Sequence, residues 1–364
     1  MLLEVYGHGG DLRTASARYH IPAEDFTDLS ANINPLGPPP GLLNTLRESL
    51  PDVVRYPDPG HRALLKLLSE RIQVPEEWIV IGNGAAENMA LALQALSPAK
   101  VGIIEPCFSE YETLSKQFGA EVGSVLGRAE QHFHADPKEI ERLISDHDLV
   151  FVGQPNNPNG VQYGRDELRR FACAAETFET YLVVDEAFID FIPEEERISL
   201  LEELHKYQRV ILIRSMTKFY AIPGLRLGYA IAHPDLARAM RGKQVTWSVN
   251  LLALLAGECC LQAGKEYEEE TISLIRKQRL LLREGLVDLG CQTWPGEANF
   301  LLVRLPEDWT AHSMQEALGA KGILVRSCAM YRGLGERDIR VAVKDRECCD
   351  KLLKAMKEII VKEA

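Results

Sequence analysis

Several features that would assign this chain to a common class are missing from its 364 residues. No apolar run is long enough to span a bilayer, and the stretch VNLLALLAGECCL instead predicts a buried helix. The N-terminus MLLEVYGHGGDL carries acidic residues where an export signal carries basic ones, so we expect a cytoplasmic protein without a membrane partner. The net charge of −12 disfavours nucleic-acid binding but still allows a local basic pocket for a small anion.

Motifs for disulfides and metals are also scarce. The eight cysteines form no CxxC pair, and adjacent cysteines cannot readily cross-link a fold, so we expect buried free thiols. His132 and His134 form an HxH pair without a clear third ligand. An exposed polar strand edge is therefore the better interpretation of this pair, and we expect no metal site.

Apolar runs alternate with stretches of helical periodicity between about residues 78 and 232. This alternation predicts an α/β fold with a mostly parallel sheet that helices cover on both faces. The runs expected to be strands are WIVIG, KVGIIEP, DLVFVGQ, TYLVVDEAF, RVILIRS and LGYAIA.

The two ends of the chain predict a second, smaller domain. The segment NINPLGPPPGL is a Pro/Gly-rich connection, whereas ANFLLVRL, GILVRSCAM and IRVAVK near the C-terminus predict strands before a closing helix. We therefore expect a large α/β domain over about residues 51–275. A smaller α+β domain is expected from residues 1–50 together with residues 276–364.

Polar clusters follow four of the apolar runs: GNGAAEN, PNNPNG, DEAF and SMTK. Ligands of open α/β sheets bind outside the carboxyl ends of the strands, so these clusters are expected to line one crevice. GNGAAEN alone could be a simple turn, but it precedes a helical pattern. The free N–H groups of Gly84, Ala85 and Ala86 would open that helix and could hold a phosphate.

The segment RSMTKFYAIPGLRLGY surrounds one lysine with hydroxyls and a guanidinium. Apolar neighbours predict that Lys218 is partly buried, which lowers the pKa of the amine and permits a Schiff base. Ser215, Thr217 and Arg226 could bind a phosphate. Asp185 ends an apolar run, where it could cap a helix, pair with an arginine, or keep a heterocyclic nitrogen protonated. An aldehyde, a phosphate and a ring nitrogen together describe pyridoxal 5'-phosphate.

A resemblance to a known family runs through most of the chain. The motifs ANINPLG, RYPDP, GNGAAE, PNNPNG, DEAF and SMTKFYAIPGLRLGY resemble, in this order, the histidinol-phosphate aminotransferase group of fold-type I pyridoxal-phosphate enzymes. Within the group, GHGGDLR, DFTDLSANINPLG and WSVNLLALLAGE are most similar to the L-threonine-O-3-phosphate decarboxylase subfamily. That subfamily implies a homodimer that decarboxylates O-phospho-L-threonine to (R)-1-amino-2-propanol O-2-phosphate and carbon dioxide for cobalamin synthesis.

The resemblance also implies roles for individual residues. Lys218 would hold the cofactor's aldehyde, Asp185 its ring nitrogen, Asn157 its phenolic oxygen, and Phe108 would stack on its ring. The phosphate would be held by Gly84, Ala85, Ala86, Ser215, Thr217 and Arg226, with Tyr56 contributed by the other subunit. The substrate would be bound by His8, Gly9, Asn32, Asn157, Arg326 and Arg340. Which arginine binds the carboxylate and which the phosphate stays open.

Two departures from the group's pattern bear on the reaction. Phe188 stands where the aminotransferases usually have a tyrosine, which fits a decarboxylase better than an aminotransferase. Asn159 replaces the usual threonine of NPTG, without an evident reason in the sequence. The alternatives are an aminotransferase of the histidinol-phosphate type and, from another class, a cofactor-sensing regulatory module, which the lack of a basic helix-turn-helix extension disfavours.

Overall fold

The computed structural model describes residues 9–362. The α-helices are α1 Leu12–Tyr19, α2 Leu42–Ser49, α3 Arg62–Ile72, α4 Ala85–Leu96, α5 Glu110–Gln117, α6 Pro137–Asp146, α7 Arg165–Phe178, α8 Met216–Phe219, α9 Pro234–Arg241, α10 Leu251–Gln262, α11 Gly264–Asp288, α12 Ala311–Gly319 and α13 Arg346–Lys362. The strands are β1 Thr27–Asp28, β2 Ile79–Gly82, β3 Lys100–Glu105, β4 Glu121–Leu126, β5 Leu149–Gly153, β6 Tyr181–Asp185, β7 Val210–Ser215, β8 Gly228–Ala232, β9 Gln292–Thr293, β10 Phe300–Arg304, β11 Ile323–Leu324, β12 Arg326–Ser327 and β13 Asp338–Ala342.

A seven-stranded sheet in the order β2-β8-β7-β6-β5-β3-β4 forms the centre of the molecule. Strands β4, β3, β5, β6 and β7 are parallel, and β8 pairs antiparallel with both β7 and β2. All six predicted strands are present, and the fold class predicted from their alternation with helices is confirmed.

The apolar runs form strands because both faces of this sheet are buried. Successive residues of β5 point to opposite sides, so that Phe151 joins the hydrophobic cluster under α4, α5 and α9, and Val150 joins the cluster under α6 and α7. Helices on both faces leave little room for polar side chains except at the strand ends. Strand β4 is not evident in the sequence because its residues are half-exposed at the sheet edge and lack an apolar run.

The C-terminal part forms a second sheet, as the sequence predicts. Its order is β12-β13-β10-β9, with antiparallel pairing throughout, and β1 of the N-terminal segment pairs with β11 in a separate two-stranded sheet. Helix α11 continues across residue 275, so the domain boundaries proposed from the sequence stay predictions.

The interpretation of the HxH pair as a strand edge is wrong. His132 follows a 3-10 turn over Ala129–Gln131, and the ring of His134 stacks on Tyr163 with 4.4 Å between the ring centroids. Within residues 9–362 no three His, Cys, Asp or Glu side chains are grouped so that they could hold a metal ion. All eight cysteines are free, and five of them are buried.

In the same described range, no helix has both the length and the apolar character needed to cross a membrane.

Candidate active site

The predicted crevice lies where three parallel strands end side by side. Gly153 at the end of β5 is paired with Asp185 at the end of β6, which in turn is paired with Ile213 near the end of β7. The clusters PNNPNG, DEAF and SMTK continue from these strand ends, and the sheet therefore brings them to one edge, as predicted.

An anion cradle is formed at the start of α4. Gly84 precedes this helix with φ of +87°, a conformation that favours glycine, and leaves the N–H groups of the first turn at the crevice. A Cβ atom at Gly84 would lie 2.7 Å from an Arg226 guanidinium nitrogen, so the two residues are in close contact. Ser215 Oγ and Thr217 Oγ1 are 2.7 Å apart, and both side chains are buried.

Lys218 lies beside this cradle in the short helix α8. Its side chain is partly buried, as predicted. Burial lowers the pKa of the Lys218 amine to about 8, and the nearby positive charges of Arg340 and Arg226 act in the same direction. A substantial fraction of this amine is therefore neutral near pH 8 and can act as a nucleophile.

Asp185 is buried at the end of β6 and is held by two donors. Its Oδ1 accepts from the backbone N–H of Ala187 at 3.0 Å, and its Oδ2 accepts from the Tyr111 hydroxyl at 2.7 Å. Burial raises the pKa of the Asp185 carboxyl to about 6, although Tyr111, Ala187 and the charge of Lys218 oppose that rise. Helix capping and pairing with an arginine were two of the roles that the sequence left open for Asp185. Its hydrogen-bond partners, Ala187 and Tyr111, correspond to neither role.

Asn157 is oriented by an arginine from the second sheet. Its Oδ1 accepts a 2.7 Å hydrogen bond from Arg340 Nη1, and this leaves the Nδ2 group of the amide to act as a donor. Arg340 Nη2 also donates to the carbonyl of Ser30 at 2.9 Å. One guanidinium group thus links the PNNPNG loop to the N-terminal segment.

The unusual Asn159 has a structural role in the same loop. Its Oδ1 accepts from Asn156 Nδ2, and its own Nδ2 donates to the carbonyl of His132, both at 2.9 Å. Threonine has a shorter side chain with one hydroxyl in place of the amide's separate donor and acceptor. The Asn159 side chain therefore connects two loops, which explains why asparagine is present in the NPNG sequence.

Arg326 and Arg340 are brought together by strand pairing. They are directly opposed residues of β12 and β13, and both are almost fully buried. Opposed residues of antiparallel strands project from the same face of the sheet, so two positive charges lie side by side. Neither arginine is therefore an exposed surface charge.

Phe188 is buried in an aromatic contact. Its ring meets Phe300 edge-on with centroids 5.0 Å apart, and the Arg340 guanidinium carbon lies 5.4 Å from the centroid of the same Phe300 ring. Phe108 is partly buried at the start of α5, against the cluster under α4.

The N-terminal segment contributes to the same crevice. Asn32 is buried, and within the described residues its Oδ1 has no hydrogen-bond partner. A Cβ atom at Gly9 would lie 2.4 Å from the Ser30 carbonyl oxygen, so only glycine allows this close approach. His8, predicted at the substrate site, lies outside the described residues.

Tyr56 lies on the surface of its own chain. It is 79% exposed, and its ring stacks on Trp247 with 4.3 Å between centroids. A cavity of about 750 Å³ is distinct from the crevice. Its lining includes Arg214, Tyr229 and Glu268, but none of the predicted site residues.

Comparisons with known proteins identify the family to which this chain belongs. Residues 24–356 match the family described as aminotransferase class I and II. The chain belongs to this family. It is 37% identical over 355 residues to the threonine-phosphate decarboxylase of Salmonella typhimurium (strain LT2), an alignment that covers 97% of this chain and 96% of that protein.

Two solved structures of family members have the same fold. The histidinol-phosphate aminotransferase from Clostridium acetobutylicum has a TM-score of 0.85 and 32% identity, over 92% of this chain and 99% of that one. The enzyme of that name from Sinorhizobium meliloti, solved in complex with pyridoxal-5'-phosphate, has a TM-score of 0.87 at 23% identity, over 97% of this chain and 95% of that one. The fold-type I assignment made from the motifs is confirmed.

As a member of this family, the chain is a pyridoxal-phosphate-dependent enzyme. Its own residues fit that cofactor. The space beside Gly84, which a Cβ atom would fill, is bordered by backbone N–H groups, two hydroxyls and Arg226, which suits a phosphate. Lys218 offers an amine of lowered pKa, and Asp185 a buried carboxylate.

Two residues of this aminotransferase-family site were not predicted from the sequence. Tyr111 touches Asp185 but carries no motif, since it lies in the first turn of an ordinary amphipathic helix. Phe300 lies in a strand with no polar residue before Arg304. Only the packing of the second sheet against the crevice brings Phe300 to Phe188.

Proposed function

We propose that this enzyme decarboxylates O-phospho-L-threonine to (R)-1-amino-2-propanol O-2-phosphate and carbon dioxide, supplying the aminopropanol linker of cobalamin. The observation that carries the proposal is the buried pair Arg326 and Arg340. O-phospho-L-threonine has two anionic groups, an α-carboxylate and a phosphate, and each could be bound by one guanidinium group. The 37% identity to a threonine-phosphate decarboxylase supports the same substrate.

Pyridoxal phosphate supplies, when bound, a conjugated ring that accepts the electron pair of the broken bond. Within the proposal, Lys218 holds the cofactor's aldehyde carbon, and Asp185 keeps a proton on the ring nitrogen. Asn157 donates through Nδ2 to the phenolic oxygen, because its Oδ1 already accepts from Arg340. Phe108 would pack on the ring. The phosphate would be held by Gly84, Ala85, Ala86, Ser215, Thr217 and Arg226.

The arginines would decide which bond breaks. Decarboxylation requires that the bond to the α-carboxylate, and not the bond to the α-hydrogen, be the one aligned for cleavage. Arg326 and Arg340, together with Gly9, Asn32 and Asn157, would hold the substrate's anions in that pose. Correct positioning of reacting groups can lower an activation barrier by several kcal/mol, and by about 7–11 kcal/mol in ideal cases.

Lys218 has a second role in the proposal. Its protonated amine would donate the proton that replaces the lost carbon dioxide on the substrate's α-carbon. Its pKa of about 8 suits a group that both releases and returns a proton near neutral pH.

An aminotransferase of the histidinol-phosphate type is the alternative, supported by the 32% identity to such an enzyme. Phe188 favours the decarboxylase, because a phenyl ring packed against Phe300 cannot donate a hydrogen bond to the cofactor's phenolic oxygen.

Incubation of the purified holoenzyme with O-phospho-L-threonine distinguishes the two reactions. We expect carbon dioxide and aminopropanol phosphate, identified by mass, in the absence of any 2-oxoacid. A strict requirement for a 2-oxoacid acceptor would instead establish transamination. Lys218→Ala, which removes the amine, should abolish both product formation and the cofactor's covalent attachment.

We also propose a homodimer in which Tyr56 reaches the phosphate of the other subunit. The exposed residues Val53, Val54, Val245 and Trp247 lie near Tyr56 in sequence or in space and would be covered by the second copy. Sedimentation of the purified protein at a mass twice that of the 40.7 kDa chain would support this assembly. A monomer at micromolar concentration would contradict it.

A further inference from the structure

Tyr111 is the buried residue that joins the carboxylate of Asp185 to the aromatic wall of the crevice. Its hydroxyl is 2.7 Å from Asp185 Oδ2. Its ring stacks on Phe151, with centroids 4.9 Å apart and planes at 5°, and meets Phe108 edge-on at 5.8 Å. These two ring contacts restrict the direction in which the hydroxyl points.

The Tyr111 hydroxyl acts only as a donor in this pair. Burial raises the pKa of the Tyr111 hydroxyl well above its ordinary value, and the neighbouring Asp185 charge raises it further. The phenol therefore keeps its proton near neutral pH. A hydrogen bond from this proton stabilises the carboxylate of Asp185 relative to the carboxylic acid.

We propose that Tyr111 is a positioning residue that keeps Asp185 ionised and directs its remaining lone pairs towards the cofactor's ring nitrogen. This inference rests on the placement of Asp185 at that nitrogen, which is itself part of the proposed function. It does not depend on which substrate the enzyme uses.

Of the groups around Asp185, Tyr111 contributes most to keeping the carboxylate ionised. Burial and the adjacent charge of Glu186 favour the neutral acid, whereas Tyr111 from α5, the Ala187 backbone N–H and Lys218 from α8 favour the carboxylate. Among the groups that favour the carboxylate, the Tyr111 hydroxyl has the largest influence, followed by Ala187. Removal of the Tyr111 hydroxyl should therefore raise the pKa of Asp185 further, because less opposes the effect of burial.

With Asp185 at that position, one proton would be shared between the carboxylate and the ring nitrogen. When Asp185 is ionised, the proton resides on nitrogen and the ring is positively charged, which is the form that withdraws electrons. When Asp185 is neutral, the proton resides on the carboxyl oxygen and the ring nitrogen is uncharged. A donor to the carboxylate shifts this equilibrium towards the charged ring.

Tyr111→Phe removes only the hydroxyl and keeps both ring contacts. The holoenzyme, loaded with cofactor labelled with nitrogen-15 in the ring, would be studied by NMR between pH 6 and 9. We expect the ring-nitrogen resonance of the wild type at the protonated position and that of Tyr111→Phe shifted towards the unprotonated one. We also expect kcat to fall by about 10- to 100-fold, as loss of a hydrogen bond to a charged group implies.

Two further variants make the outcome decisive. Tyr207→Phe also removes a hydroxyl from a buried tyrosine, one whose ring lies away from the crevice, and should leave the resonance and kcat unchanged. Asp185→Asn should move the resonance to the unprotonated position. If Asp185→Asn moves the resonance but Tyr111→Phe does not, even where Tyr111→Phe lowers the melting temperature, the role of Tyr111 is refuted. If Asp185→Asn has no effect either, the placement of Asp185 is refuted with it.

Discussion

Arg326 and Arg340 face each other across the antiparallel strands β12 and β13, with 1% and 7% of their surfaces exposed. Like charges at directly opposed positions destabilise a sheet, and burial increases the cost of each charge. Under the proposed function, both guanidinium groups would attract the anionic groups of the substrate. The second sheet therefore supplies two buried positive charges, Arg326 and Arg340.

Substitution of either arginine by glutamine should weaken substrate binding. We expect Arg326→Gln and Arg340→Gln each to raise KM for O-phospho-L-threonine by at least about tenfold, because a charge-assisted hydrogen bond contributes about 1.5–3 kcal/mol. Steady-state kinetics at fixed ionic strength would measure the change. Arg238→Gln, at an exposed i,i+3 ion pair in α9, is the matched control and should leave KM unchanged.

The product separates the roles of the two arginines, since it keeps the phosphate but has lost the carboxylate. Substitution of the phosphate-binding arginine by glutamine should raise the inhibition constant of aminopropanol phosphate by the same factor as KM for O-phospho-L-threonine. Substitution of the carboxylate-binding arginine should raise KM and leave the inhibition constant unchanged. Equal effects of both variants on product inhibition would show that both guanidinium groups contact the phosphate.

Asp185 should reduce the stability of the apoprotein above pH 6. Its folded-state pKa of about 6 lies above the ordinary 3.8, so the folded state binds the proton more tightly and stability falls as pH rises between these values. Above pH 6 the cost is about 3 kcal/mol at 1.36 kcal/mol for each pH unit. Asp185→Asn should therefore stabilise the apoprotein at pH 7.5 and lose that advantage near pH 4.

Thermal and urea unfolding of the apoprotein at the two pH values would measure this difference. Asp166→Asn, at an exposed position of α7, is a suitable control because solvent already hydrates its carboxylate. An Asp185→Asn apoprotein that is less stable than the wild type at pH 7.5 would mean that the hydrogen bonds from Tyr111 and Ala187 outweigh the cost of burial.

The strands, and the buried positions of Asp185 and Lys218, could be predicted because their causes are local. A fully buried parallel strand requires an apolar run, and the polar residue that ends it stands out for that reason, as Asp185 does after LVV. Lys218 is likewise marked by the hydroxyls in its own segment. In these cases the neighbouring residues in the sequence are also the neighbours in space.

The remaining parts of the site depend on contacts between distant segments. Tyr111 and Asp185 are separated by 74 positions, and Arg340 and Asn157 by 183. No local pattern encodes such pairs, because each requires the register of a different element. The prediction of an exposed strand edge at His132 and His134 was wrong for the same reason. Asn159 and Tyr163, from another part of the chain, contact that loop.

Asn159 should contribute to stability rather than to chemistry. Asn159→Thr restores the residue usual in the group but loses at least one of two buried hydrogen bonds, to Asn156 and to the His132 carbonyl. We expect a loss of about 1–3 kcal/mol in the free energy of unfolding, with kcat changed by less than about threefold. Calorimetry and steady-state kinetics on the same samples would measure both. A large fall in kcat without loss of stability would instead assign Asn159 to the reaction.

Mixed dimers should reveal whether Tyr56 acts across the subunit interface. Homodimers of Lys218→Ala lack the amine and homodimers of Tyr56→Ala lack the proposed phosphate contact, so each should have low activity. In a dimer of one subunit of each kind, one site carries both defects and the other is intact, provided that Tyr56 serves the partner's site. Co-expression in equal amounts should then recover about one quarter of wild-type activity, because half of the dimers are mixed and each has one intact site. If Tyr56 acts within its own subunit, every site keeps one defect and mixing restores nothing.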